Sequence, residues 1–274
     1  MAILLVPIST GWMSMKRCMA LCFGVMLAVM SGAASAQDLA PADAPRLDAV
    51  AATGAAMYRL DQAAATATDL AQAQRAFRRD KRVRGWITED LGSAVAVYFL
   101  DDAGQAIYRV DVPDSDEVSG ALQVMDTPLV LDGALAAAVQ ARASALAALE
   151  SADDFGGCSR QHNTVVLPVD GHPGRFHVYI LPGTTRHHVV PIGGSYRVEV
   201  DNGQVIAQRP YTRSCIELQN PPGNVAMMIT HLLDDTPTEV HVFWSLWAGT
   251  PLMVSTEAGA WRVENGQVTL LHEQ

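Results

Sequence analysis

The sequence lacks the short motifs that mark the common classes of enzyme. It has no glycine-rich phosphate loop, no dinucleotide-binding fingerprint, no H-E-x-x-H pair and no Cys/His catalytic signature. The G-x-S-x-G nucleophile turn is also absent, so the two glycines before Ser195 indicate a tight turn or bulge rather than a reactive serine. Acid or base catalysis by a single carboxylate leaves no spacing signature, so the absence of motifs does not exclude this kind of enzyme.

Basic residues are scarce in this chain. The 274 residues carry 19 Lys and Arg against 29 Asp and Glu, for a net charge of −10 with neutral histidines. This balance opposes binding to nucleic acid or to anionic membranes, both of which need clustered positive charge. The densest basic stretch, residues 75–84, is typical of a helix end followed by a solvated loop. The expected partner is therefore a protein or a small-molecule ligand, still unknown.

Only one long apolar run is present, and it lies near the N-terminus. Lys16 and Arg17 precede 13 apolar residues, which are followed by small residues at Ala34 and Ala36. This order predicts a secretory signal peptide over residues 1–36, cleaved after Ala36. The run is shorter than the roughly 20 residues needed to span a bilayer, so we expect no stable membrane insertion after cleavage. Met1, Met13 and Met15 are alternative start sites of translation. The predicted location is periplasmic or secreted.

Removal of the signal changes both the charge and the cysteine content. The charge falls from −10 to −12 because two positive side chains leave with the signal. Two of the four cysteines leave as well, and Cys158 and Cys215 remain. In an exported chain, two cysteines predict one disulfide. Its loop of 57 residues gives a stabilisation of about 4 kcal/mol from chain entropy. A redox pair is disfavoured, since active pairs are usually close in sequence.

The rest of the chain predicts an α+β fold. Residues 37–45 form an extended leader by composition, and residues 46–274 form a single domain. Two alanine-rich stretches, 46–79 and 128–152, predict helices. We expect them to pack on one face of a mostly antiparallel sheet, built as a meander of hairpins.

Three segments of similar composition predict the strands of that meander. The segments predicted as the first strand of each hairpin are AVYFL (96–100), HVYIL (177–181) and HVFWSL (241–246). Each is followed by an aromatic–Arg–Val–acid run, namely YRVD (108–111), YRVE (196–199) and WRVE (261–264). The second and third copies continue into Asn-Gly, a strong signal for a hairpin turn. The similarity fits either an internal duplication or shared strand composition.

Two stretches, GGSYRVEV…RPYTRSC (193–215) and THLLDDTPTEVHVFWSL (230–246), resemble a group of uncharacterised secreted bacterial proteins. The resemblance implies an exported protein. It implies no activity and brings no active-site residues to these positions.

A cluster of polar residues raises the question of a metal site. His231, Asp234, Glu239 and His241 lie within eleven positions, and all eight histidines fall in the C-terminal half. If 241–246 is a strand, Glu239 and His241 share a face, and His231 would complete a zinc site by folding back. The plainer interpretation is a turn followed by a strand, and we expect neither a metal nor a cofactor. The adjacent pair His187–His188 is no stronger as a metal site.

Two functional hypotheses follow. The first is a non-catalytic binding or interaction module, and the second is a hydrolase, possibly metal-assisted, that uses residues around 231–241. The aromatic residues Phe243, Trp244, Trp247 and Trp261 could form a ligand platform, but their apolar surroundings favour core packing.

Overall fold

The alanine-rich stretches are helices in the computed structural model of the protein. The structure describes residues 44–115, 120–150, 158–159, 161–184 and 186–273. The first stretch forms α1 (Ala44–Ala73) and the short α2 (Arg75–Arg79), and the second forms α3 (Gly133–Glu150). The signal peptide and its cleavage site lie outside the described residues, as does most of the leader.

Two four-stranded antiparallel sheets follow the first and the third helix. The first sheet has the order β1-β2-β3-β4 and the second the order β5-β6-β8-β9. Their strands are β1 (Gly85–Asp90), β2 (Ala94–Leu100), β3 (Ala106–Pro113), β4 (Gln123–Leu129), β5 (His162–Pro168), β6 (Arg175–Pro182), β8 (Tyr196–Asp201) and β9 (Gln204–Pro210). A two-residue strand, β7 (Val189–Val190), pairs with β10 (Leu218–Gln219) outside these sheets.

The third sheet contains a parallel pair. Its elements are β11 (Met227–Thr230), α4 (Glu239–Ala248), β12 (Leu252–Ser255), β13 (Gly259–Glu264) and β14 (Gln267–Glu273). β11 and β12 run parallel because α4 carries the chain back between them, whereas β12, β13 and β14 pair antiparallel. Among the described residues the protein thus has four helices and fourteen strands, and its class is α+β with mostly antiparallel sheet.

Both predicted Asn-Gly turns are present. Asn202 and Gly203 have φ angles of 47° and 79°, and Asn265 and Gly266 have 51° and 77°. Two successive positive φ angles define the hairpin turn that matches the right-handed twist of the strands it joins. The turns join β8 to β9 and β13 to β14.

The third copy of the predicted hairpin was placed wrongly. Residues 241–246 lie in α4, and the strand that pairs with WRVE is β12. The matching hairpins are therefore β2–β3, β6–β8 and β12–β13. In all three, the second strand carries the aromatic–Arg–Val–acid run, and its Arg forms an ion pair with the acid two positions later. These pairs are Arg109–Asp111 at 2.7 Å, Arg197–Glu199 at 2.8 Å and Arg262–Glu264 at 2.7 Å.

The two long alanine-rich helices belong to cores on opposite faces of β2, not to one face as the sequence predicted. Val95, Val97 and Phe99 join the core that contains α1. The alternate residues Tyr98 and Leu100 join the core that contains α3. Side chains alternate between the faces of a strand, so an uninterrupted apolar strand needs a cover on each side.

Helices α1 and α4 cross in close contact at Gly54. A Cβ at this position would lie 2.5 Å from the Cβ of Val242 and 2.7 Å from the carbonyl oxygen of Glu239. The glycine in the middle of α1, which is unfavourable for an isolated helix, is what allows this approach.

The predicted disulfide is present between Cys158 and Cys215. It joins the segment before β5 to the loop after β9, so all four strands of the second sheet lie within the loop of chain that the disulfide closes. The described residues all belong to one compact unit of the chain, 36–274. Within the described part of the chain, no helix is long and apolar enough to cross a membrane.

Candidate functional site

The four polar residues singled out in the sequence lie at the start of α4 and in the loop before it. The structure brings His231, Asp234 and His241 together and leaves Glu239 apart from them. His231 lies 2.8 Å from an oxygen of Asp234, and its ring packs edge-on against His241 with centroids 4.6 Å apart. Glu239 turns toward a different set of partners. Among the residues that the structure describes, no three His, Cys, Asp or Glu side chains are arranged to hold a metal ion.

The prediction that Glu239 and His241 share a strand face is wrong because both lie in the first turn of α4. Thr238 is the N-cap residue, and Gly249 ends the helix in the left-handed conformation with φ 58°. Threonine before an acidic first turn and glycine after the last turn are ordinary helix signals. The apolar spacing Val240, Phe243, Trp244 also fits a helix.

Glu239 is the centre of a buried polar network. Its Oε1 accepts hydrogen bonds from the hydroxyls of Tyr179, at 3.0 Å, and Tyr211, and from Nη1 of Arg197 at 3.2 Å. Both tyrosines are 1% exposed. Burial, followed by the nearby charge of Glu239, raises the pKa of both phenols, so they remain protonated donors.

The network continues from Arg197 toward the surface. Arg197 pairs with Glu199, and His177 on the neighbouring strand lies 3.7 Å from the same carboxylate. Burial, and then the charge of Arg197, lowers the pKa of His177. Of the three matching Arg–acid pairs, this is the one whose Arg also pairs with a residue of α4. The network therefore fastens α4 to the second sheet.

His241 is fixed by the helix cap. Its Nδ1 accepts a hydrogen bond from the backbone N–H of Thr238 at 3.0 Å. Complete burial, helped by the neighbouring His231, lowers the pKa of His241 to about 3. The ring is therefore neutral, and its Nδ1 lone pair is already used by the helix cap.

Asp234 ties the preceding loop to β9. Arg209 binds both carboxylate oxygens, at 3.0 and 2.6 Å, and its guanidinium lies 4.6 Å from the ring centre of Tyr211. Burial raises the pKa of Asp234, but the hydrogen bonds from His231 and Arg209 outweigh it and hold the pKa well below its usual range. The ring of His231 is only 2% exposed and is out of reach of a substrate, whereas the side chains of Arg209 and Asp234 are 32% and 18% exposed.

The remaining sequence candidates also have structural roles. The Oγ of Ser195 donates to the carbonyl of Ile192 and accepts from Nε1 of Trp244, both at 3.0 Å. His187 and His188 are exposed neighbours with ring centres 6.3 Å apart. Among the four aromatic residues considered as a ligand platform, three are buried and one, Trp247, is 39% exposed.

A cavity on the α3 side of the first sheet holds a candidate functional residue that the sequence did not reveal. This cavity of about 780 Å³ lies between α3 and the β2–β3 turn, and Arg142 of α3 lines it. The Nε of Arg142 donates to Oγ1 of Thr164 at 2.8 Å, and no carboxylate among the described residues pairs with its guanidinium. Burial lowers its pKa. Gly85 makes room for it, since a Cβ there would lie 2.6 Å from Nη2.

The rest of the cavity wall is mostly apolar. The side chains that supply this surface are Leu100, Val130, Leu131, Val139 and Leu146. A volume of several hundred cubic ångströms, apolar walls and a few fixed polar groups are the usual features of a small-molecule site. No sequence signal could have located it, because Gly85, Arg142 and Thr164 come from three separate elements.

No protein-family model, curated protein or solved structure matches this chain.

Proposed function

We propose that the protein is an exported, non-catalytic binding module that holds a small amphipathic carboxylate in the cavity beside Arg142. One observation carries the proposal: Arg142 is a partly buried cation in the wall of an apolar cavity, without a carboxylate partner among the described residues. Buried charges in proteins are normally paired, so an unpaired guanidinium at a cavity favours an anionic ligand. Two parallel N–H groups of the guanidinium match the two oxygens of a carboxylate.

The charges around the cavity restrict the ligand to a single negative group. The cavity is lined by three acids and two arginines, namely Asp101, Asp102, Glu150, Arg84 and Arg142. The acids outnumber the arginines, so the wall repels a ligand with several negative charges. The carboxylate of Asp101 is already used in its own turn, where it accepts the backbone N–H groups of Ala103 and Gln105. A monocarboxylate with an apolar body fits this pattern, whereas nucleotides and other polyanions do not.

The export part of the proposal rests on sequence features and the disulfide. The predicted signal over residues 1–36, the resemblance to secreted proteins and the Cys158–Cys215 bond all favour a periplasmic or secreted protein. In this proposal the antiparallel sheets are hairpin meanders with helices packed against them, and they form a rigid scaffold for the cavity.

The geometry gives little support to the alternative, a hydrolase around residues 231–241. Glu239 receives three hydrogen bonds on one oxygen, His241 is neutral and capped, and His231 is buried. A catalytic base must reach the proton that it removes, and none of these groups lines a cavity described above.

The test is a titration of the purified protein with octanoate and, in parallel, with 1-octanol. We expect octanoate to bind more tightly because only its carboxylate pairs with Arg142. Replacing Arg142 by Met should weaken octanoate binding about 10- to 150-fold, which corresponds to the roughly 1.5–3 kcal/mol of a charged hydrogen bond. The same change should leave octanol binding almost unaltered.

The matched control is Arg79→Met, which removes an exposed arginine of α2. It lowers the net charge equally without touching the cavity, so octanoate binding should persist. Equal affinity of wild-type protein for octanoate and octanol, or equal losses in the two variants, would contradict the proposal. Turnover of ester, peptide and glycan panels by wild-type protein would favour the hydrolase instead.

A further inference from the structure

A second, smaller cavity lies on the α1 side of the protein, where α1, β5, β6 and α4 meet. Its volume is about 190 Å³. Asp61 of α1 and Asn163 of β5 supply polar groups, and Phe243, Trp244 and Trp247 of α4 supply aromatic surface. None of these residues belongs to the network around Glu239 or to the cavity beside Arg142.

Asp61 is a buried carboxylate of α1. It is 4% exposed, and no Lys, Arg or His among the described residues pairs with it. Its hydrogen bonds come from the neutral amides of Asn163, at 2.8 Å, and Gln62, at 3.3 Å. Burial raises the pKa of Asp61, and these two hydrogen bonds only partly offset it. A cation in the cavity would restore the balance of charge.

The aromatic side chains of α4 give this cavity a surface that suits a cation. The rings of Trp244 and Trp247 pack edge to face with centroids 5.3 Å apart, and those of Phe243 and Trp244 with centroids 4.9 Å apart. Trp244 is fixed by its bond to Ser195, whereas Trp247 is 39% exposed and reaches the surface. The face of an indole ring attracts a cation, and more strongly so where water is excluded.

We propose that this cavity binds the ammonium head of a small alkylamine, with Asp61 as the counter-ion and the indole of Trp247 beside the cation. A primary ammonium has three N–H donors and no acceptor, which suits a site with a carboxylate and the free amide oxygen of Asn163. The small volume restricts the ligand to a short or slender amine. This site is separate from the proposed carboxylate site, so either proposal can fail without the other.

The test is a fluorescence titration of the full-length exported protein, because Trp244 and Trp247 both line the cavity and report on it. The two probes are butylammonium and its uncharged counterpart 1-butanol. We expect a saturable change with butylammonium and at least about tenfold weaker binding of butanol, since the alcohol lacks the charge that Asp61 and the indole recognise. Nα-acetyl-lysine amide, as a third probe, distinguishes a free amine from a lysine side chain of another protein.

Asp61→Asn is the main variant, since it removes the charge and keeps the shape. We expect it to abolish the preference for butylammonium over butanol. Its matched control is Asp69→Asn, an exposed position of the same helix, which should bind like the wild type. If Asp61→Asn does not fold, Trp247→Leu at the cavity mouth gives the same test and should weaken butylammonium by about tenfold. Absence of a charge-dependent change in wild-type protein, or unchanged binding by Asp61→Asn, would overturn the proposal.

Discussion

Replacing Glu239 by Ala tests whether the network at the start of α4 holds the fold together. The change leaves the buried hydroxyls of Tyr179 and Tyr211 without their acceptor and removes one of the two carboxylates on Arg197. Each buried donor left unpaired costs about 1–3 kcal/mol, and breaking a buried ion pair costs about 3–5 kcal/mol. These costs overlap, so we expect a total loss of about 3–5 kcal/mol. For a domain of this size, that loss lowers Tm by about 6–20 °C.

The free energy of unfolding is measured by urea denaturation with the disulfide intact, followed by tryptophan fluorescence. The matched control is Glu264→Ala, which breaks the corresponding Arg–acid pair on β13. That pair is 48% and 35% exposed, so its loss should cost no more than about 1 kcal/mol. Glu239→Gln keeps an acceptor for the phenols and should lie between the two. If Glu239→Ala were no less stable than Glu264→Ala, the reasoning would be refuted. If wild-type protein hydrolysed one of the ester, peptide or glycan substrates and Glu239→Ala lost that hydrolysis without losing stability, a catalytic role of Glu239 would be the better explanation.

Three further predictions concern pH, the disulfide and a helix crossing. The pKa of His241 is about 3 in the folded protein, below its ordinary 6.5. The stability that this residue contributes is therefore complete above pH 6.5 and declines as the pH falls toward 3. We expect His241→Asn to reduce the slope of the unfolding free energy against pH in that window by about 1.4 kcal/mol per pH unit. Replacing both Cys158 and Cys215 by Ser should destabilise the protein by about 4 kcal/mol, and a smaller effect in urea denaturation would show that the unfolded chain is already restricted. Gly54→Ala should lower Tm in calorimetry, because crowding of α4 costs about 1–3 kcal/mol and exceeds the gain of about 1 kcal/mol in helix propensity. A raised Tm would mean that the two helices separate easily.

Local signals in the sequence were enough for the two Asn-Gly turns and for the helices of the alanine-rich stretches. Asn202-Gly203 and Asn265-Gly266 specify their turns through two adjacent positive φ angles, which few other dipeptides adopt. Proline occurs only at the starts of the alanine-rich stretches, as Pro45 in the first turn of α1 and as Pro128 ahead of α3. In these cases the information lies within a few residues of the element that it defines.

Helix α4 was missed because its first seven residues are all buried. Every residue from Glu239 to Ser245 is buried, so the apolar pattern has no polar face to reveal its period. The caps, Thr238 and Gly249, and the short apolar spacing from Val240 to Trp244 were the signals that separated it from a buried strand. The partners of Glu239 could not be predicted either, because Tyr179, Arg197 and Tyr211 come from different parts of the second sheet and the loop after it.

The contact between α1 and α4 can form only late in the synthesis of the chain. Gly54 and Val242 are separated by nearly the whole domain, and a chain is synthesised at about 5–20 residues per second. The partner of Gly54 therefore emerges about 10–40 s after it, by the same rate. During that interval the part of α1 around Gly54 lacks the α4 residues that cover it in the folded protein. A product that stops before residue 239 would never close this surface, and we expect such fragments to be degraded or aggregated rather than to accumulate.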